Sequence, residues 1–443
     1  MPTFSRRSLL AGSAAAPVLL QGQSKRPNFL FLLSDDQTWS DLGCMGNSAV
    51  RTPHLDRLAA RGARLTHCFV TSPQCSPNRS SIFTGCSPHT TGTSRLHTPM
   101  PEWEPSILEP LKAAGYFTGC YRKHHQGLPF QRRFDFYGNT SEKFETFFDR
   151  LPADRPFWLQ MGFTDPHRPY KPGGFSPPHD PASVRVPEYL PDAPEIRQDI
   201  AHYYDFISRM DADCGKVLEI LEKRGLAENT FVIMSGDNGM PFPRAKGTCY
   251  DPGIRVPMIA AWPGRIRQGG THSDLVAHVD LAPTWLEAAG LPVPEKMQGR
   301  SLLPLLTGSG AYTKRAEVFS ERNWHDNFDP IRSVRTERYK LILNATPHFP
   351  YRPAFDLADS PSWAVIQRLG RQGKISGAHL RMLEPNRPMI ELYDLQADPN
   401  EFTNLATSAA HAPVLADLMR RLSVWMEGTN DFLPPPRNGV VAL

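Results

Sequence analysis

Cys75-Ser76-Pro77-Asn78-Arg79, continuing through Ser80-Ser81-Ile82-Phe83-Thr84-Gly85, puts a thiol and a cation at the start of a helix. Ser76 can cap free backbone N–H groups, and Pro77 suits the first helical turn, where its missing N–H would be unpaired anyway. Gly85 supplies the stop. Cys75 is thereby expected at the mouth of a short helix, where N–H groups and the positive end of the helix dipole favour an anion. Arg79, one turn in, can aim its guanidinium at the same place. Taken alone, the stretch reads either as an activated cysteine in an anion site or as a capping turn around a buried thiol.

Five other short segments carry reactive side chains. Asp35-Asp36 ends the apolar run Asn28-Phe29-Leu30-Phe31-Leu32-Leu33-Ser34. Two adjacent carboxylates are costly unless positive charge sits between them, and hard oxygen ligands of this kind favour Ca²⁺ or Mg²⁺. Asp237-Asn238 ends the run Thr230-Phe231-Val232-Ile233-Met234-Ser235 and offers two more oxygen ligands. Lys123 and His125 follow Gly115-Tyr116-Phe117-Thr118-Gly119-Cys120-Tyr121, and His167 stands in the turn Thr164–Pro169. Lys246 opens Lys246-Gly247-Thr248-Cys249-Tyr250-Asp251-Pro252-Gly253-Ile254-Arg255-Val256-Pro257. Each of these alone is an ordinary turn; what matters is whether they converge.

Cys-x-Pro-x-Arg with its Thr-Gly ending resembles the signature of the type I sulfatases. Gly115–Gly127 resembles that family's Gly-Tyr-x-Thr-x-x-x-Gly-Lys-x-His-x-Gly element, with Arg122 where the family usually has Gly. The Lys246 segment resembles Lys-x-x-x-Tyr-Glu-Gly-Gly-x-Arg-Val-Pro, with Asp251 and Pro252 in place of Glu and Gly. The resemblance runs from Asn28 to Leu405. Within the family it points to the heparan N-sulfatases through Asp165-Pro166-His167-Arg168, Arg209-Met210-Asp211, Gly239-Met240-Pro241-Phe242-Pro243 and Ile331-Arg332-Ser333-Val334-Arg335.

That resemblance implies a catalytic set of Cys75, Arg79, Lys123, His125, His167 and Lys246. It implies one Ca²⁺ held by Asp35, Asp36, Cys75, Asp237 and Asn238, with Cys75 converted to formylglycine by a formylglycine-generating enzyme. One hydroxyl of the hydrated aldehyde would attack sulfur while Arg79, Lys123 and Lys246 offset the charge on the transferring group. His167 would protonate the leaving atom, and His125 would take a proton from the second hydroxyl so that the aldehyde reforms. Asp165 and Arg168, which flank His167, are candidate substrate contacts. The implied substrate is a sulfated glycan, with N-sulfoglucosamine at a chain end as the narrower expectation. The alternatives are an O-sulfatase on another sulfated polysaccharide and a phosphate or phosphonate monoester hydrolase of the same superfamily.

To bring those segments together, the chain needs a sheet whose strands end along one edge. The runs before Asp35, Lys123, His167 and Asp237 read as buried strands, and their alternation with helices predicts a mainly parallel sheet. Glu195–Arg224 reads as a long amphipathic helix. The expected fold class is α/β, an alkaline-phosphatase-like large domain over residues 25–325, with Val318-Phe319-Ser320 as its last strand. A small α+β subdomain with an antiparallel sheet is expected over 326–443, with a polar insertion between its strands.

The chain has 443 residues and a net charge of +4, too mild to argue for nucleic acid. Its 44 prolines are scattered, which reads as ordered loops, and its seven cysteines form no Cys-x-x-Cys pair that would hold zinc. Residues 1–24 carry the twin arginine Arg6-Arg7 and an apolar stretch too short to span a membrane. They resemble a bacterial twin-arginine export signal, which implies a periplasmic protein without a stable membrane span. The oligomeric state stays open, a homodimer being one option.

Overall fold

A computed structural model describes residues 26–171 and 173–434. The twin-arginine segment and the final prolines therefore lie outside the described residues. The larger sheet contains β1 (Asn28–Ser34), β2 (Ala63–Phe69), β3 (Phe117–Arg122), β4 (Phe136–Gly138), β5 (Phe157–Gly162), β6 (Thr230–Gly236), β7 (Arg255–Ala261), β8 (Gly270–His272) and β9 (Val276–Ala277). Its order is β4-β3-β5-β1-β6-β7-β2-β8, with β9 pairing β2.

From β4 through β6 every neighbouring pair is parallel. The C-terminal ends of β1, β3, β5 and β6 consequently share one edge, as the sequence predicts. β7 departs from the pattern: it runs antiparallel to both β6 and β2. Every residue of β1, β5 and β6 is buried, which accounts for their continuous rather than alternating apolar runs.

Successive residues of β1 feed the two faces of the sheet. Phe29 and Phe31 enter a core with Trp158, Trp285 and Tyr116. Leu30 and Leu32 enter the opposite core with Met210, Val217 and Leu221 of the helix Pro194–Lys223. Burying each such side chain contributes about 1.5–3 kcal/mol, so β1 is a firmly held strand on which to mount a site.

A second sheet, β10 (Val318–Trp324), β11 (Phe328–Arg335), β12 (Tyr339–Asn344) and β13 (Ile390–Asp394), is antiparallel throughout. Val318–Ser320 therefore belongs to this sheet and not to the large one: it continues as a strand through Trp324 and pairs with β11. The helix Ala412–Gly428 covers this sheet through Leu415, Leu418, Met419 and Leu422. The expected polar insertion is partly helical, at Phe355–Ala358, Pro361–Arg371 and Gly377–Arg381. Its Trp363, Val365 and Ile366 pack with Ile196, Ile200 and Tyr203 of the long helix. No helix among the described residues is long and apolar enough to cross a membrane. Each of the seven cysteines is a free thiol.

Candidate active site

The helix Cys75–Thr84 runs inward from the shared strand edge, and all ten of its residues are buried. It starts at Cys75 itself, one residue before the expected cap. Gln74 is the N-cap and makes no side-chain capping bond. Ser76 Oγ instead accepts the His97 N–H at 2.8 Å, tying a rim loop to the helix. Gly85 closes the helix at φ 67°, a left-handed position that suits glycine.

Asn78 Nδ2 donates to the Asp237 carbonyl at 2.6 Å and lies 2.8 Å from His278 Nδ1. Arg79 Nε donates to Asp237 Oδ2 at 2.8 Å, and its Nη1 donates to the Lys123 carbonyl at 2.5 Å. These bonds join the helix to the ends of β6 and β3. Arg79 Nη2 is buried with no hydrogen-bond partner, 3.8 Å from Asp35 Oδ1.

Cys75 Sγ stands 3.4 Å from Asp35 Oδ1 and 3.9 Å from Asp36 Oδ1. Lys123 Nζ lies 2.5 Å from Asp35 Oδ2, and Lys246 Nζ lies 2.8 Å from Asp36 Oδ2. His167 Nε2 lies 3.7 Å from Asp36 Oδ2. Its Nδ1–H donates to the Arg168 carbonyl, which leaves Nε2 facing the cavity. The six candidate catalytic residues and the four candidate oxygen ligands thus gather in one cluster, delivered by six segments of the chain.

The electrostatics are those of a closely paired charge cluster. Burial opposes ionisation of Asp35, but Lys123, His167, Arg79 and Lys246 outweigh it and hold the carboxyl well below its usual range. Burial and the Asp35 charge push Asp237 up to about 6 against Arg79 and Lys123. Burial also pushes the Cys75 thiol well above its usual value, helped by Asp35 and Asp237, and the two lysines do not reverse this. The helix mouth alone suggests a thiolate; in the folded protein the thiol stays protonated. His125 is pushed down to about 2 by burial and by Lys123 and Arg79, so its ring is neutral. Its Nε2 is 2.6 Å from His97 Nδ1, and its own Nδ1 is buried without a partner.

The donor set fits a hard cation. Ligating atoms of Asp35, Asp36, Cys75 and His167 all lie within 4.8 Å of one another. Asn238 Nδ2 donates to Asp36 Oδ1 at 2.7 Å, while its Oδ1 is buried and accepts no hydrogen bond. A buried carbonyl oxygen without a donor is what a cation would satisfy. Asp237 sits slightly apart: its Oδ1 accepts the Asp36 N–H at 2.9 Å and its Oδ2 accepts from Arg79.

Asp36, His97, Arg122 and His125 all have φ between 59° and 66°. Left-handed backbone is costly for these residues, and its concentration here marks a site held in shape by its surroundings. Arg122, standing where the related motif has Gly, adopts the backbone a glycine would take most easily.

Arg168 is engaged in structure: both terminal nitrogens bond Asp199, at 2.8 and 2.7 Å, and Nε bonds the Pro241 carbonyl. Asp165 takes both of its partner nitrogens from Arg209 at 2.7 Å. Both residues still border the cavity of about 780 Å³ that opens over Cys75 and His167. The cavity is also lined by His97, His325, Asp326, Phe355 and Asp356, none of which the sequence analysis singled out. Lys246 Nζ lies 2.7 Å from Asp356 Oδ2. No motif flags these residues; only the adjacent His325-Asp326 pair, bonded at 2.7 Å, offers a weak signal.

The sulfatase family model matches residues 27–153 and 139–291, and that of the N-sulphoglucosamine sulphohydrolase C-terminal region matches 244–363. The chain is 31% identical to the N-sulphoglucosamine sulphohydrolase of Homo sapiens, over 91% of this chain and 90% of that one. This chain belongs to the sulfatase family. The sulfatase is also 28% identical to an ulvan-active sulfatase of Formosa agariphila, over 94% of this chain and 77% of that one.

Its fold is shared with a solved structure in complex with its substrate D-glucosamine-2-N,6-O-disulfate, at TM-score 0.72 and 20% identity over 94% and 100% of the chains. It is shared as well with the phosphonate monoester hydrolase of Agrobacterium radiobacter, at TM-score 0.72 and 18% identity over 91% and 96%. The sulfatase thus has the α/β fold with mainly parallel sheet and added antiparallel sheet that its sequence predicts.

Proposed function

We propose that this sulfatase removes sulfate from a sulfated glycan bearing N-sulfoglucosamine, using formylglycine at position 75 and one Ca²⁺. The observation that carries the reading is the position of Cys75: its side chain stands 3.4 Å from Asp35 at the mouth of a buried helix, as the hub of the charge cluster. Oxidised and hydrated, position 75 would supply one hydroxyl to attack sulfur and a second whose deprotonation releases sulfate. Asp35, Asp36, Asp237, Asn238 and the residue-75 oxygen would hold the cation, which lowers the pKa of a bound hydroxyl.

The remaining work falls to the chain's own side chains. Arg79 Nη2, Lys123 and Lys246 are placed to offset charge on the transferring group. His167, its Nδ1–H fixed on the Arg168 carbonyl, carries a proton on Nε2 to the leaving nitrogen or oxygen as its bond to sulfur breaks. His125, which lines the cavity, would take the proton of the second hydroxyl, a step that needs its burial and the nearby positive charge to be offset when substrate is bound. The 31% identity to the human N-sulphoglucosamine sulphohydrolase supports the amino-sugar substrate.

Peptide mass spectrometry across residue 75, then a screen of sulfated mono- and disaccharides, tests the proposal. An unmodified thiol in fully active protein would overturn it. The shared fold with a phosphonate monoester hydrolase favours a second reading; faster turnover of a phosphonate monoester than of any sulfate would establish that one. Export through Arg6-Arg7 belongs to the same proposal and predicts periplasmic protein, lost when both are changed to Lys.

A further inference from the structure

Asp356 lies in the short helix Phe355–Ala358, between β12 and β13. Its Oδ2 accepts from Lys246 Nζ at 2.7 Å and stands 3.6 Å from His167 Nε2. Its Oδ1 is buried and accepts no hydrogen bond, and the residue lines the same cavity. Lys246 and the nearby His167 and His325 outweigh the effect of burial and keep the carboxyl ionised.

An ionised carboxylate has lone pairs only, so the free oxygen can take a donor but not an acceptor. It also repels the oxygens of a sulfonate group, so it is badly placed to hold the sulfate itself. It lies instead beside His167, the group placed to protonate the leaving atom. At that atom the two substrate classes differ. A sulfamate nitrogen carries an N–H and leaves as an amine, whereas the bridging oxygen of a sulfate ester carries no hydrogen.

We propose that Asp356 is a specificity-determining residue that accepts the sulfamate N–H and selects N-sulfated over O-sulfated sugars. The inference rests on the sulfatase reading above. As the S–N bond breaks, the nitrogen keeps its hydrogen on Asp356 and gains a proton from His167. The departing amine is thereby held until the sulfonyl group has transferred. A site built around a buried acceptor discriminates strongly, because an ester leaves that acceptor unpaired.

The test compares wild-type protein and Asp356→Asn, both co-expressed with a formylglycine-generating enzyme, on N-sulfoglucosamine and on an aryl O-sulfate. In the variant the amide oxygen can face Lys246, which turns the NH₂ toward the cavity. The ratio of sulfamate to aryl-sulfate kcat/KM is expected to fall on the order of 30-fold. Glucosamine, whose ammonium would seat on the carboxylate, is expected to inhibit aryl-sulfate turnover about tenfold less well in the variant, with glucose unchanged as a competitor. A ratio within about threefold of wild type overturns the inference, since a role confined to steadying Lys246 would lower both activities together. So does wild-type protein that hydrolyses the aryl sulfate but not the sulfamate, and that result leaves the sulfatase reading standing. Wild-type protein that carries formylglycine and hydrolyses neither removes the proposed N-sulfoglucosamine activity and this inference with it.

Discussion

The Arg79 Nε–H donates to Asp237 Oδ2 across 2.8 Å, and neither side chain has measurable exposure. The pair locks the Cys75–Thr84 helix to the end of β6, segments that are far apart along the chain. Removing one partner of a buried pair leaves the other charge uncompensated, at a cost of about 3–5 kcal/mol. Arg79→Ala should lower the unfolding free energy by that amount, read as a lower urea midpoint with little change in m-value, and Arg79→Lys should recover only part of it. A loss below about 1 kcal/mol on equilibrium unfolding would contradict the role given to this contact.

A second prediction concerns acid. His278 is fully buried beneath the same helix, with Asn78 Nδ2 at 2.8 Å from Nδ1 and Ser235 Oγ at 2.9 Å from Nε2. Ser235 Oγ already donates to the Pro257 carbonyl, so His278 Nε2 carries the hydrogen and Nδ1 accepts. Burial pushes its pKa from 6.5 down to about 3. Above pH 6.5 the residue is neutral whether the chain is folded or not, and it adds no pH dependence. Between about 6.5 and 3 the unfolded chain binds a proton that the folded chain refuses, so stability falls by up to about 1.4 kcal/mol per pH unit. Denaturant unfolding at pH 4 to 6 should show a flatter pH slope for His278→Gln than for wild type; parallel slopes would rule His278 out.

Chelation provides the third. With Asn238 Oδ1 unpaired beside Asp36, a divalent cation should stabilise the folded state. At a free concentration 100 times its Kd, it adds about 2.7 kcal/mol. The thermal midpoint should therefore rise on adding Ca²⁺ and drop with a chelator, and Asn238→Ala should shrink the difference. Identical melting curves with and without Ca²⁺ would refute the cation site independently of any activity measurement.

Arg122 allows a comparison of backbone and side chain. Its φ of 59° costs an L-residue about 1 kcal/mol, while its guanidinium lies 3.4 Å from Asp213 and 5.4 Å from the centre of the Phe144 ring. Arg122→Ala loses those contacts and keeps the strain; Arg122→Gly loses them and relieves it. The glycine variant should be more stable than the alanine variant by about 1 kcal/mol in thermal or urea unfolding. The reverse order would show that the left-handed backbone is not strained.

The edge of the sheet was legible because its strands are covered on both faces and so appear as unbroken apolar runs ending in charge. Asp35, Asp36, Lys123, His167 and Asp237 could be placed on one rim from that pattern alone. The direction of β7 could not, because an apolar run such as residues 256–261 is equally apolar whichever way the strand runs. Nor could Asp356, His97, His325 or Asp326. They reach the cavity through long-range packing of the insertion and rim loops, which leaves no local periodicity behind. The protonated state of Cys75 was likewise hidden, since it depends on burial and on carboxylates contributed by distant strands.

In the finished fold Cys75 is only 2% exposed, at the floor of its cavity and in a helix whose every residue is buried. A tailoring enzyme acting on that side chain would find no bare peptide to grip once the strands have closed over it. The conversion proposed for Cys75 would therefore have to come early, on a chain still being made or newly released, and a copy that closed first would remain a thiol. Under that proposal the fraction of working molecules in any preparation would be a kinetic quantity, set by a race between tailoring and folding.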